Sequence, residues 1–393
     1  MNKITILAIA LALFASCKKS SDNTTTPATT TPVVTPSGGT YTDLYNFNTT
    51  KGENPIGDLI ISGSTLYGMA SSGVASGYGC IFSIGANGNN YTDMHDFTGT
   101  STDGLYPTAD LTLYNGLLYG MTPQGGTNGS GVIFSINPNG SGFQVLSSFG
   151  VGSNSGAQPT GSLALSGNML YGCAGGGAIG NGTIFSFNPV GNVYTDLYDF
   201  TTASGVTPTG TITFSQGVFY GPAAGGVGND GFIYAVDSNG SSFQTLVAFT
   251  GTNGVEPGPY QKLVVSRTTI YGMANAGGAN GNGLVFSVST TGSGFKDLYD
   301  FTGNEGNGAA PQGSLILNGS TLYGMTSSGG GTYTAGLIFS ISTSGSGFTD
   351  LSNFNSSGGA FPEGGLLLSN NVLYGMAYGG GQYGYGSIFS FSL

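Results

Sequence analysis

Leu322-Tyr323-Gly324-Met325, then Gly336-Leu337-Ile338-Phe339-Ser340, then Phe348-Thr349-Asp350-Leu351-Ser352-Asn353-Phe354 is the stretch whose reading decides the fold. Each of these three apolar elements recurs seven times, at intervals of about 50 residues. The Leu/Ile/Phe-Tyr-Gly element has its tyrosine at Tyr67, Tyr119, Tyr171, Tyr220, Tyr271, Tyr323 and Tyr374. The Gly-x-Ile/Val-aromatic element has its ring at Phe82, Phe134, Phe185, Tyr234, Phe286, Phe339 and Phe389. The aromatic-x-x-Leu/Met-x-x-Phe element starts at Tyr41, Tyr91, Phe143, Tyr194, Phe243, Phe295 and Phe348.

These elements are too short and too evenly punctuated for helices. Hairpin dipeptides such as Asn87-Gly88, Asn139-Gly140 and Asn239-Gly240 fall between them, and no segment from Tyr41 onward has helical periodicity. Each repeat resolves into four strands. The first follows a proline (Leu59–Ile61, Leu163–Leu165, Leu315–Leu317, Leu366–Leu368), and the three elements above supply the others. Four strands joined by tight turns form an antiparallel meander, the blade of a propeller. The outer element comes first in the chain, and the last repeat lacks one. That offset predicts an all-β, seven-bladed β-propeller over residues 41–393, with Tyr41–Phe47 completing the last blade beside Ser387–Leu393. An open solenoid would need capping repeats instead.

Composition agrees with one closed repeat domain. The chain has 74 Gly and only 6% charged residues, but 12% aromatics supply a core. Seven Lys+Arg face 18 Asp+Glu, and from residue 40 onward the cations are Lys51, Lys262, Arg267 and Lys296. Four scattered cations cannot follow a phosphate backbone, so nucleic acid is not an expected partner. The glycine after each tyrosine, Gly68 and its equivalents, is expected where a ring or backbone comes close, near the propeller axis. Prolines 55, 107, 159, 208, 259, 311 and 362 are expected in the crossings between blades. Asp43, Asp93, Asp96, Asp196, Asp199, Asp297, Asp300 and Asp350 read as charges that keep outer strands from pairing with other chains.

Before the repeats lies a targeting segment. Lys3 opens a short positive region, Ile4–Phe14 is apolar, and Phe14-Ala15-Ser16-Cys17 ends the run. This resembles a bacterial lipobox, which implies lipidation of Cys17, a membrane anchor through that lipid, and an outer-membrane location, since Lys18 rather than Asp follows. Residues 18–40 are rich in Ser, Thr and Pro and read as a flexible tether. Cys80 and Cys173 are read as unpaired. Cys173 stands where Met69, Met121, Met273, Met325 and Met376 stand in other repeats.

The quoted stretch, with Gly329-Gly330 between its first two elements, resembles the GloVer tandem-repeat family of bacterial exported proteins with a choice of anchors. The likeness runs from Tyr41 to Leu393. It implies an extracytoplasmic anchored protein without an assigned biochemical activity. A weaker likeness to Kelch blades rests on the paired glycines, but the Kelch tryptophan is missing.

Catalysis is poorly supplied. His95 is the single histidine, so neither a Ser-His-Asp triad nor a His/Cys metal cluster can be assembled, and no cofactor or metal is expected. The Gly/Asn loops 176–182, 225–231 and 277–283 lead into strands rather than helices, so they read as flexible turns and not phosphate cradles. Carboxylates that a propeller could bring together are Asp58 and Asp110 at the starts of first strands. Glu53, Asp103, Glu256, Glu305 and Glu363 lie in the crossings.

A binding role fits better. Crossings and second-to-third-strand loops share one face, which carries Tyr78, Tyr106, Tyr260, Tyr333, Tyr378, Tyr383 and Tyr385. Flat rings among Asn and Asp suit sugars or extended peptides. The expectation is therefore a monomeric binding module for a glycan or protein ligand, with Tyr378, Tyr383, Tyr385, Asp58 and Asp110 as ligand-binding candidates. The alternatives are a glycan-cleaving enzyme using face carboxylates and a purely structural envelope protein.

Overall fold

The computed structural model describes residues 39–150, 156–201, 207–258, 260–304 and 306–393. Cys17, the lipobox, most of the tether, Pro259 and Glu305 lie outside the described residues. The described residues form one compact unit.

That unit is a seven-bladed, all-β propeller with four antiparallel strands per blade. Blade 1 comprises Ile60–Ser62, Thr65–Ala70, Cys80–Gly85 and Thr92–Asp96. Blade 7 takes its first three strands from Leu367–Ser369, Val372–Ala377 and Ser387–Ser392. Its fourth is Thr40–Asn46, paired with Thr40 opposite Ser392 and Asn46 opposite Ser387. Strand limits differ from the sequence-based ones by about one residue in blades 1, 6 and 7, whereas the first strand of blade 3 runs Ala157–Ser166 instead of Leu163–Leu165. A single 3-10 turn, Val227–Asn229, interrupts the β-structure among the described residues.

The spacing aromatic-x-x-Leu/Met-x-x-Phe has a specific cause. In every blade the third and fourth strands slip by one residue, and the residue skipped is the motif's Leu or Met: Leu44, Met94, Leu146, Leu197, Leu246, Leu298 and Leu351. The bulge bends the outer strand. The phenylalanine that ends each motif is at most 3% exposed, and its N–H donates to a glycine carbonyl, as Phe97 does to Gly79 at 3.0 Å.

Seven apolar clusters hold the blades together, one at each junction. Tyr67, Met69 and Ile81 of blade 1 pack with Leu111, Leu118 and Phe134 of blade 2. Tyr374, Met376 and Ile388 of blade 7 pack with Phe47, Leu59 and Phe82, so blade 7 meets blade 1 as any blade meets its neighbour. Cys173 fills its methionine slot with 1% exposure, its sulfur 3.5 Å from the Tyr234 hydroxyl, and Cys80 is buried and free.

The structure refines or corrects three sequence expectations. The ring that comes close to Gly68 and its equivalents belongs to the paired strand: a Cβ on Gly68 would lie 2.6 Å from the Phe82 ring. The axis is crowded at other glycines: a Cβ on Gly313 would lie 1.9 Å from the Gly364 carbonyl, and one on Gly364 would lie 2.4 Å from that of Ile56. Second, blade 5 has Pro257, not Pro259, where the other blades have their crossing proline, because two extra residues precede Lys262. A Cβ on Gly231 would meet Pro257 at 2.6 Å, just as one on Gly386 would meet Pro55 at 2.7 Å. Third, the outer-strand aspartates are tied locally. Asp199 and Asp300 accept the N–H groups of Ala178 and Ala279, while Asp43 and Asp350 accept the Asn46 and Asn353 amides. The Gly/Asn loops are likewise pinned, Gly182 N–H to Gly176 O at 2.6 Å and Gly283 N–H to Gly277 O at 3.1 Å.

Candidate functional site: the crossing face and the channel mouth

The crossing before each blade's proline adopts one conformation seven times. Asn54, Tyr106, Gln158, Thr207, Glu256, Ala310 and Phe361 all have φ between 45° and 57°. Each donates its N–H to the carbonyl two residues before the preceding blade's third strand, that of Tyr385, Tyr78, Ser130, Asn181, Asp230, Asn282 and Ala335, at 2.7–2.9 Å. Crossings and loops therefore lie on one face, stitched together.

Aromatic side chains occupy only part of that face. Phe361, Tyr385, Tyr78 and Tyr106 span the consecutive junctions 6/7, 7/1 and 1/2. Tyr333, Tyr378 and Tyr383 stand in the loops of blades 6 and 7. Phe361 is 49% exposed, Tyr383 51%, Tyr333 66%, Tyr106 37% and Tyr385 36%, whereas Tyr378 and Tyr78 are half-buried. Tyr78 and Tyr106 meet edge to face at 5.6 Å. The Asn54 amide donates to the Tyr378 carbonyl at 3.1 Å, joining blade 1 to the blade 7 loop.

Beneath this face the channel opens. Asp58, Asp110, Ser162, Thr211, Lys262, Ser314 and Gly365 occupy equivalent places at the starts of the first strands. Backbone N–H groups link them around the axis: Asp58 donates to Asp110 Oδ1 at 2.6 Å, Asp110 to Ser162 Oγ at 2.7 Å, and Ser162 to Thr211 Oγ1 at 2.8 Å. Thr211 donates to the Gln261 carbonyl at 3.1 Å, Lys262 to Ser314 Oγ at 3.0 Å, and Gly365 to Asp58 Oδ1. The structure thus brings Asp58 and Asp110 together on neighbouring blades, each carboxylate holding the next strand. Both line a cavity of about 480 Å³ with Lys262, and apolar side chains such as Leu113 and Phe214 form its deeper wall.

The charges here are constrained. Burial, then the charge of Asp110, raises the Asp58 carboxyl to about 8, against the opposing effects of the Gly365 N–H, Lys262 and Ser314. Burial also raises Asp110. Glu363, in the crossing into blade 7, is raised by burial to about 7. Burial and then Glu363 raise Tyr260 to about 12, and the same two causes raise Tyr378. Glu363, Tyr260 and Tyr378 therefore stand close together. Sequence reasoning singled out these three separately but not their meeting, since Tyr260 sits on the two-residue insertion of blade 5.

The other candidates disperse. Asp103 is 5% exposed and caps its own crossing, accepting from Thr98 N at 3.0 Å and Gly104 N at 2.8 Å. Asn307 repeats this toward Thr302 N at 2.8 Å, so Asp103 is tied up in the fold. His95 stacks on Phe143 at 3.6 Å and 10°, with Nε2 3.1 Å from Asp103 Oδ1. The equivalent Tyr45, Tyr198 and Tyr299 stack on the next blade in the same way, so His95 is one rung of a stacking series. Glu53 and Glu256 remain separate, at junctions 7/1 and 4/5.

The class is thus an all-β propeller whose blade-to-blade contacts are repeated seven times. The chain belongs to the Gloeobacter/Verrucomicrobia repeat family, which matches at residues 30–175, 146–258 and 223–393. No curated protein matches it. Among solved structures it is similar to an oligogalacturonate lyase from Vibrio parahaemolyticus, at 9% identity and TM-score 0.59 over 92% of this chain and 96% of that one. An oligogalacturonate lyase in complex with manganese gives 10% identity and TM-score 0.57 over the same shares. A puromycin-hydrolyzing peptidase of Mycobacterium tuberculosis gives 11% and 0.53, over 84% of this chain and 51% of that one. At such identities the likeness concerns the fold alone.

Proposed function

We propose that this protein is a lipid-anchored, extracytoplasmic binding module that holds a glycan chain across the aromatic part of its crossing face. One observation carries the reading. Phe361 and Tyr106 hold a left-handed backbone, with φ of 57° and 56°, while exposing much of their rings. Such a conformation costs a bulky residue about 1–2 kcal/mol. Asn54 serves the same junction role without a ring, so the crossing hydrogen bond gives no reason for aromatics at these two places. Exposed rings and nearby amides, with Lys51 and Glu53 as opposite charges in the 7/1 crossing, suit a hydroxylated polymer without strong net charge.

The enzymatic alternative has less support, because Asp58 and Asp110 are engaged as acceptors of blade-to-blade N–H groups. Anchoring rests on the lipobox: Cys17→Ser is expected to move the protein from the outer-membrane fraction to the soluble one, and continued membrane association refutes the anchor. The ligand reading is tested by applying residues 32–393 to a panel of bacterial, plant and host glycans. A saturable hit lost in a Tyr378/Tyr383/Tyr385→Ala variant is the expected outcome. A blank panel overturns it and leaves a protein ligand or a structural role.

A further inference from the structure

Five of the hydrogen bonds that link the blades around the channel end on a small side-chain acceptor. Ser162, Thr211 and Ser314 accept with a hydroxyl. Asp58 and Asp110 do the same work with a carboxyl, at the expense of burying an ionisable group. Lys262 contributes only its backbone, and its side chain lines the cavity. The charges of all three side chains therefore exceed what these hydrogen bonds require.

Their placement is also polar. In a sevenfold ring, blade 5 lies across the lumen from the junction of blades 1 and 2. Lys262 thus faces the Asp58/Asp110 pair over a cavity of about 480 Å³, within the size range of small-ligand sites, roughly 300–1,000 Å³. No ion pair within 4.0 Å joins Lys262 to either carboxyl, as the His95–Asp103 contact is the sole such pair among the described residues. Next to these groups the wall is apolar, with Ile60, Leu113, Phe214 and Leu367.

We infer that the channel mouth is a binding site for a small zwitterion with an apolar side group, of the α-amino-acid or dipeptide class. The ligand's carboxylate faces Lys262, its ammonium faces the Asp58/Asp110 pair, and its side group lies on the apolar wall. A neutral sugar would bring no charge to either wall, and a simple anion or cation would match one wall only. This site is separate from the aromatic face, so each can fail without the other.

Equilibrium dialysis of the protein against L-leucine, L-phenylalanine and glycyl-L-leucine tests it, with leucine amide and N-acetyl-leucine as one-ended controls. Saturable binding is expected for at least one zwitterion, with both controls at least tenfold weaker. Lys262→Met is expected to weaken binding at least tenfold without unfolding the protein, since the ring does not use that side chain. A combined Asp58→Asn, Asp110→Asn variant keeps both acceptors, folds, and also binds at least tenfold more weakly. Absence of saturable binding across the panel, or equal binding by a folded Lys262→Met protein, overturns the proposal.

Discussion

Two halves of one face share a backbone and differ in side chains. At junctions 6/7, 7/1 and 1/2 the paired crossing and loop residues are Phe361 with Ala335, Asn54 with Tyr385, and Tyr106 with Tyr78. At junctions 2/3, 3/4, 4/5 and 5/6 they are Gln158 with Ser130, Thr207 with Asn181, Glu256 with Asp230, and Ala310 with Asn282. All seven junctions make the same hydrogen bond, and all seven crossing residues take the same left-handed φ. The bond needs no particular side chain, so what distinguishes the halves is not folding. The difference separates what the repeat demands from what was added to three of its junctions.

The largest expected effect breaks or upholds that contrast directly. Removing Phe361, Tyr383 and Tyr385 together by alanine substitution should weaken glycan binding by about a hundredfold, taking each ring at about 1 kcal/mol. Replacing Gln158, Thr207 and Asn282 by alanine should change it less than twofold. Titration calorimetry on both variants decides the matter. Equal losses would mean that the whole face binds, and the halves would then differ in composition only.

Acid groups sharpen the contrast through pH. Glu363, in the aromatic half, is raised to about 7, while Glu256, in the polar half, is exposed. In the channel and outer strands, Asp58 is raised to about 8 and Asp93 and Asp297 to about 6, by burial first and a neighbouring aspartate next. A carboxyl raised in the fold keeps its proton where the unfolded chain has lost it. Such groups favour folding fully below about pH 4, and that contribution is lost as pH rises through 6 to 8. Asp103 has the opposite sign. Burial alone would raise it, but hydrogen bonds from His95, Thr98 and Gly104 outweigh burial and lower it, so its contribution is present at neutral pH and is lost as pH falls. Stability should therefore be higher at pH 5 than at pH 8 by about 2 kcal/mol, measured by urea unfolding. Glu363→Gln and Asp58→Asn should flatten the slope. A rise in stability from pH 5 to pH 8 would contradict the burial of these carboxyls.

The propeller was legible because the repeat is a packing rule: the tyrosine, the paired ring and the outer phenylalanine fill the junction cores in register, seven times. The bulge was not legible, although its signature, apolar residues three apart at Tyr91, Met94 and Phe97, was quoted in the motif itself. A strand with a strict period of two cannot put all three on one side, and slipping past Met94 resolves this. Asp58 and Asp110 were found as candidates, but their use as acceptors was not, since it depends on a 2.6 Å contact between blades 52 residues apart in sequence. The left-handed crossings were hidden for another reason. Gln158, Thr207, Glu256 and Phe361 are not residue types that announce a positive φ, and the bond to the preceding blade imposes it.

The smallest expected effect tests that imposed strain on both halves. Ala310 in the polar half and Phe361 in the aromatic half have φ of 53° and 57°. Glycine takes this conformation without the Cβ clash, so Ala310→Gly should stabilise the fold by about 1 kcal/mol, offset by a few tenths for the greater freedom of the unfolded chain. Phe361→Gly relieves the same strain but loses the buried half of its ring, so its net change in stability should lie near zero. Only the second substitution should weaken glycan binding. If Phe361→Gly instead destabilises by several kcal/mol, the ring is a folding element, and the case for an added function at that junction falls. If it leaves stability nearly unchanged and removes binding, the left-handed aromatic is kept for the ligand, because the fold would be no worse without it.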